Sequence, residues 1–188
     1  MEITLLISEN FIKQSSFIDE NVDVALIRTA IVAAQDMHMI DVIGSGLMSE
    51  LKTQISAGTT TALNITLLDT YISQAMLWWT LYEGADILTF KFRNKSVMKM
   101  SSDNGQPVSL EEVKRLMDGF RNKAESYSER VTKYLIQNQS SYPLFTNPGT
   151  GADVIFPKMN NFSSGWYLGR SRKRDTDWNP YENLSDCE

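Results

Sequence analysis

The sequence predicts a mainly α protein: a small helical bundle with one long C-terminal helix, a β-hairpin insertion and an extended C-terminal arm. Three observations predict it. Residues 109–138 carry apolar or small side chains at alternating steps of three and four. Residues 88–100 change to a period of two. After residue 146 aromatic residues are scattered among Gly, Asn and Ser with no helical period.

The long helix is the best marked element. Ser109 and Glu112 have the spacing of a capping box, in which each satisfies a free backbone N–H of the other. Leu110, Val113, Met117, Phe120, Ala124, Tyr127, Val131 and Tyr134 form the seam, and Leu116 and Leu135 widen it. Charged residues such as Lys114, Arg121, Glu125 and Lys133 cover the rest. Such a seam needs partners, from this chain or from identical subunits. Ser140, Ser141 and Pro143 end the helix.

The chain before it supplies the partners. Residues 1–21 read as an extended lead-in that packs through Phe11 and Phe17, or as a strand paired to a neighbouring chain. The first helix runs near 23–42 from an N-cap at Asn21 or Asp23. Its face is Val24, Ile27, Ile31, Ala34 and His38. Gly44 and Gly46 end it, and Leu47, Leu51 and Ile55 mark a second helix near 46–56. The third helix is expected near 66–84, with Thr66 and Asp69 as a capping pair and Gly84 ending or kinking it. It is the most apolar, which puts it at the bundle's centre. Residues 88–100 then read as a hairpin, with 103–107 as the turn cluster that leads into the long helix. Phe120 and Trp79, each on an apolar stripe, should be buried.

The boundaries are therefore 1–146 for the helical domain, with its hairpin near 88–100, and 147–188 for the arm. The arm holds Phe162, Trp166, Tyr167, Arg170, Arg172, Trp178 and Tyr181, the candidate partner-binding residues. Rigid aromatic anchors with flexible spacers suit docking on another surface. The basic cluster around Arg170 and Arg172 is balanced by the acidic stretch after it.

Composition limits the function classes. The chain has 188 residues, a formal net charge of -5 and a single cysteine, Cys187. An acidic chain is poorly suited to wrapping nucleic acid. One cysteine forms no intrachain disulfide, so nothing calls for an oxidising compartment. No apolar run has the length of about 18 residues that a membrane helix needs, so no membrane partner is expected. The N-terminal Met-Glu-Ile-Thr lacks the basic region of a signal peptide.

No chemistry is readable. His38 is the only histidine, and a lone His builds no zinc site without further ligands at suitable spacing. Its ordinary reading is a half-buried helix residue. No Ser-His-Asp arrangement, phosphate-cradling loop or dinucleotide fingerprint is present. Glu111 and Glu112 are explained by capping. Trp78 and Trp79 diverge by about 100° on a helix, so one faces the core and the other a second element or subunit. No catalytic residue, cofactor or metal is expected, and the chain does not read as an enzyme.

Several short motifs carry a family resemblance. Ala33, Ala34, Gln35, Asp36 and Met37 are followed by Ile43, Gly44, Ser45, Gly46 and Leu47, then by Glu50 and Leu51. The run from Phe90 through Arg93 to Val97 fits a hairpin, with Ser96 where glycine would be expected. Ala124, Glu125, Ser126, Tyr127, Tyr134 and Leu135 fall in a helix that closes at Tyr142 and Pro143. This pattern, over about residues 17–145 with a weaker echo at 153–168, resembles phage head–tail connector (adaptor) proteins, and among them the ring protein of crAss-like phages.

The resemblance implies a structural virion protein, with no catalytic residues to carry over. It implies a homo-oligomeric ring, commonly a dodecamer, with the portal protein above and tail or further ring proteins below. Such a ring extends the DNA channel and provides a tail attachment platform, and DNA passes through without specific binding. Location would be the head–tail junction of the virion, and the host cytoplasm during assembly. The competing reading is a helical adaptor or regulatory binding module acting as a monomer or dimer.

Overall fold

The computed structural model describes residues 3–19, 21–93, 96–99, 109–151 and 153–158, and within them the protein is mainly α. The chain enters through Leu6 and Ile7, both buried, and forms a short helix, α1 (Glu9–Ser15). The Ser8 hydroxyl accepts from the Phe11 N–H and caps it. The expected extended lead-in is corrected here, because seven residues are too few for a period to show in sequence. So short a helix persists through docking rather than propensity. Fully buried Ile12 anchors it, while Phe17 stays 68% exposed and stacks on Phe120 with ring centroids 5.5 Å apart. Buried Gln35 clips the entry segment through its Oε1, which accepts from the Leu6 N–H at 3.0 Å.

Asp23 caps α2 (Val24–Ala33), accepting from the Ala25 N–H. Helix α2 passes through a π-helical turn at Ala34–Met39 into α3 (Ile40–Ala57). Gly44 breaks α3 with φ 79° and ψ 158°, a conformation open mainly to glycine. Gly58, at φ 65°, supplies the left-handed C-cap.

The next helical stretch begins earlier than the sequence suggests. Thr61, not Thr66, is the N-cap, and α4 (Ala62–Thr66) leads through a second π-helical turn, Leu67–Ile72, into α5 (Ser73–Thr89). Thr66 lies inside the helix and its hydroxyl bonds back to the Ala62 carbonyl, so it makes no pair with Asp69. Gly84 neither ends nor kinks α5. It faces Ala30 of α2, where a Cβ would sit 3.6 Å from the alanine methyl. Two small residues let the helices approach there. Strands β1 (Phe90–Arg93) and β2 (Ser96–Lys99) pair antiparallel, with Phe90 opposite Lys99 and Phe92 opposite Val97.

Ser109 and Glu112 close a capping box at the start of α6 (Leu110–Gln137). Helix α6 runs antiparallel to α5, with Tyr134 stacked on Tyr71 at 4.0 Å and Ser128 bonded to Trp79. Its buried line passes through Phe120, Ala124, Ser128, Val131, Thr132 and Leu135. Two residues depart from the expected face: Leu116, expected to widen the seam, is 51% exposed, and Tyr127 is only half-buried. A seam of alternating threes and fours has a period of 3.5, and a straight helix drifts away from it by about 20° per heptad.

Beyond α6 a 3-10 turn, Gln139–Ser141, leads into α7 (Pro143–Thr146). Phe145 is fully buried, and the Tyr142 hydroxyl donates to the Leu63 carbonyl at 3.1 Å. The core gathers Ile12, Ile31, Met39, Ile43, Leu47, Leu51, Leu67, Ile72, Met76, Leu135 and Phe145, from α1, α2, α3, α5, α6, α7 and both π-helical turns.

Candidate functional site

The seven residues expected to bind partners, Phe162, Trp166, Tyr167, Arg170, Arg172, Trp178 and Tyr181, lie outside the described residues. The segment leading to them is described as far as Lys158. It lies on the chain's own helices, seated on the break in α3.

That seat is built by two glycines and the groups the break sets free. In an unbroken α-helix the Ser45 N–H would donate to the Asp41 carbonyl. Here the Ser45 N–H donates to the Ile155 carbonyl at 2.9 Å, and the Asp41 carbonyl accepts from the Lys158 N–H at 2.7 Å. The Ser45 hydroxyl accepts from the Ile155 N–H at 3.0 Å. The Lys158 ammonium pairs with the Asp41 carboxylate. Glycine is required at both flanks. A Cβ at Gly46 would lie 2.6 Å from the backbone of Pro148, and one at Gly44 would meet Pro157 at 3.0 Å and the Ile155 carbonyl at 3.2 Å.

Beside the seat is a recess of about 370 Å³ lined by His38, Asp41, Val42, Trp79, Glu125, Ser128, Glu129, Thr132 and Lys158. The π-helical turn in which His38 lies positions the imidazole flat on the Trp79 indole, with centroids 3.8 Å apart and planes within 6°. His38 Nε2 is 2.7 Å from the Glu83 carboxylate, and the edge of Tyr82 closes another side. The indole N–H donates to the Ser128 hydroxyl at 2.9 Å. Trp78 turns the other way, against Phe120, with the Lys123 ammonium 4.2 Å from its ring centroid.

Charged and polar groups around the recess are engaged with one another, Asp41 with Lys158 and His38 with Glu83. Glu125 pairs with Arg121 and Glu129 with Lys133 along α6. Ser128, the hydroxyl nearest the histidine's stacking partner, is engaged by the indole. Among the described residues no group of three His, Cys, Asp or Glu side chains is placed to hold a metal ion. No described helix is long and apolar enough to cross a membrane.

Sequence reasoning placed His38 and Trp79 on apolar faces but missed their stacking and the Glu83 partner. It also missed the seat: Ser45 and Ile155 are 110 residues apart, and only the glycine pair hinted that another backbone would approach.

Fold and site together define a mainly helical domain whose most elaborated feature is a broken helix clasping a downstream segment. The chain belongs to the family described as a family of unknown function (DUF6712), whose model matches residues 39–155. That stretch includes both sides of the clasp between Ser45 and Ile155. Comparison with curated proteins gives no match, and comparison with solved structures gives none.

Proposed function

We propose that this chain is a structural virion protein. It is the subunit of a homo-oligomeric ring between portal and tail, which extends the DNA channel and offers a platform for tail attachment. The observation that supports this best is the run of motifs resembling connector proteins, set on the elements described above. Ala33 to Met37 fall at the end of α2 and in its π-helical turn, and Gly44, Ser45 and Gly46 at the helix break. Phe90 to Arg93 lie on β1 and Ser96 and Val97 on β2, and Ala124 to Tyr127 on the long helix.

Two further features fit. Phe17 and Leu116, 68% and 51% exposed, flank Phe120 and give a like subunit an apolar surface to pack on. A net charge of -5 suits a channel that must let DNA slide without gripping its phosphates. The arm expected over residues 147–188 is seated on its own subunit at Ile155 and Lys158, and in this reading its remainder serves assembly. It contacts a neighbouring subunit or the portal through Trp166, Tyr167, Trp178 and Tyr181, guided by Arg170 and Arg172.

Labelling of virions with an antibody against this chain tests the reading. Label confined to the head–tail junction is the expected result. Particles that lack the chain, in cells that contain it, would favour the helical adaptor or regulatory module acting as a monomer or dimer.

A further inference from the structure

We propose that the break at Gly44 is a two-state latch, in which the segment 153–158 and the straight form of α3 compete for the same two backbone groups. The groups are the Ser45 N–H and the Asp41 carbonyl. In an uninterrupted helix they satisfy each other. In the latched state they are satisfied instead by the Ile155 carbonyl and the Lys158 N–H, at 2.9 and 2.7 Å. Each state therefore leaves both groups bonded, so exchange between them carries no orphaned buried group. Hydrogen bonding to these two groups does not separate the states, and what separates them is the packing of Leu47 and Leu51 beyond the break.

Three features make the latch releasable. Gly44 populates both the positive φ of the break and the negative φ of a helix, and it holds the former here at 79°. Of the described residues from 148 to 158 only the prolines, Pro148 and Pro157, are buried, against the two glycines, while Ile155 is 37% and Phe156 62% exposed. Gly149, at φ 111°, and Gly151 lie between the Pro148 contact and the Ile155 clasp and supply the hinge. Opening straightens α3 and frees the segment. It also removes Lys158 from the rim of the recess beside His38, so the two features are coupled. The inference does not depend on the ring reading; it concerns the subunit alone.

Two substitutions in the full-length chain test it. Gly44→Ala disfavours the positive φ, and Lys158→Pro removes the N–H that the Asp41 carbonyl accepts while touching no core residue. Two measurements are read on each. Hydrogen exchange at the Ile155 amide reports the seat. A spin-label distance between cysteines placed at exposed Ala25 and Thr53, in a Cys187→Ser background, reports the bend. The expected result for both variants is loss of protection at Ile155 together with a longer distance. Loss of protection with an unchanged distance would overturn the proposal, because the break would then be held by the helices around it. So would a longer distance with Ile155 still protected, or no change in either. If Gly44→Ala does not fold, Lys158→Pro decides alone.

Discussion

His38 lies flat on Trp79, its ring centroid 3.8 Å from the indole and its Nε2 2.7 Å from Glu83, while the same indole donates to Ser128 across the interface of α5 and α6. The π-helical turn, α5 and α6 are thus joined through one tryptophan. Trp79→Phe keeps an aromatic ring but deletes the donor, leaving the buried Ser128 hydroxyl unpaired. The expected cost is about 1–3 kcal/mol, read as a lower urea midpoint. An unchanged midpoint would show that the indole bond contributes nothing.

Gly46 and Gly58 should respond differently to alanine. At Gly58 nothing lies within 4 Å of an added methyl, so the cost is only that of the left-handed conformation, about 1–2 kcal/mol. At Gly46 the methyl meets the Pro148 backbone at 2.6 Å. Gly46→Ala should unseat the downstream segment and speed amide exchange over 153–158. A stability gain of about 1 kcal/mol, as alanine gives in a free helix, with exchange unchanged would show that the approach of Pro148 is not a real constraint.

Tyr142 should make the protein sensitive to alkali. Burial pushes its phenol above the ordinary value near 10, and the neighbouring Tyr134 adds to the shift. The unfolded chain then releases this proton at a lower pH than the folded one. The stabilisation is fully present below about pH 10 and is lost as the pH rises above it. Tyr142→Phe should flatten that part of the stability–pH profile. It should also cost about 1 kcal/mol at neutral pH through the lost bond to the Leu63 carbonyl. A profile identical to that of the parent would contradict this.

Leu116 and Phe120 lie one turn apart on α6 and should behave oppositely. Phe120, 5% exposed, should cost about 3–5 kcal/mol when cut to alanine. Leu116→Lys should change stability by less than about 0.5 kcal/mol yet impair ring formation, read by sedimentation with the portal present. A large drop in melting temperature for Leu116→Lys would place that residue in the subunit's own core.

Truncation after Lys158 separates the seated segment from the arm. The shortened chain should keep the helical signal and melting temperature of the parent, and should fail to join rings. Entry into rings at the parental level would remove the arm from assembly.

The mainly α class was readable because helical period and caps are local: of Asn21 and Asp23, the two caps expected for the first helix, Asp23 is the one that caps α2. What escaped was non-local or too short to show a period. Helix α1 has seven residues and is held by Ile12 in the core, which no local pattern reveals. Ser128 and Thr132 lie off the expected seam, and the drift of a straight helix away from a 3.5 repeat turns them inward. Gly84 looked like a terminator because glycine weakens helices, yet packing against Ala30 carries α5 past it to Thr89. The histidine recess draws on α5, α6 and the broken helix, so its geometry follows from their packing. The aromatic residues chosen as partner-binding lie outside the described residues, and their part rests on the proposed function.

The most direct test of the proposed ring is co-expression of this chain with a portal protein from its own genome, followed by electron microscopy of the purified material. The account predicts a second ring, commonly of twelve copies, stacked on the portal and coaxial with its channel. A portal that purifies bare, with this chain recovered as a free monomer or dimer even at excess, would contradict it.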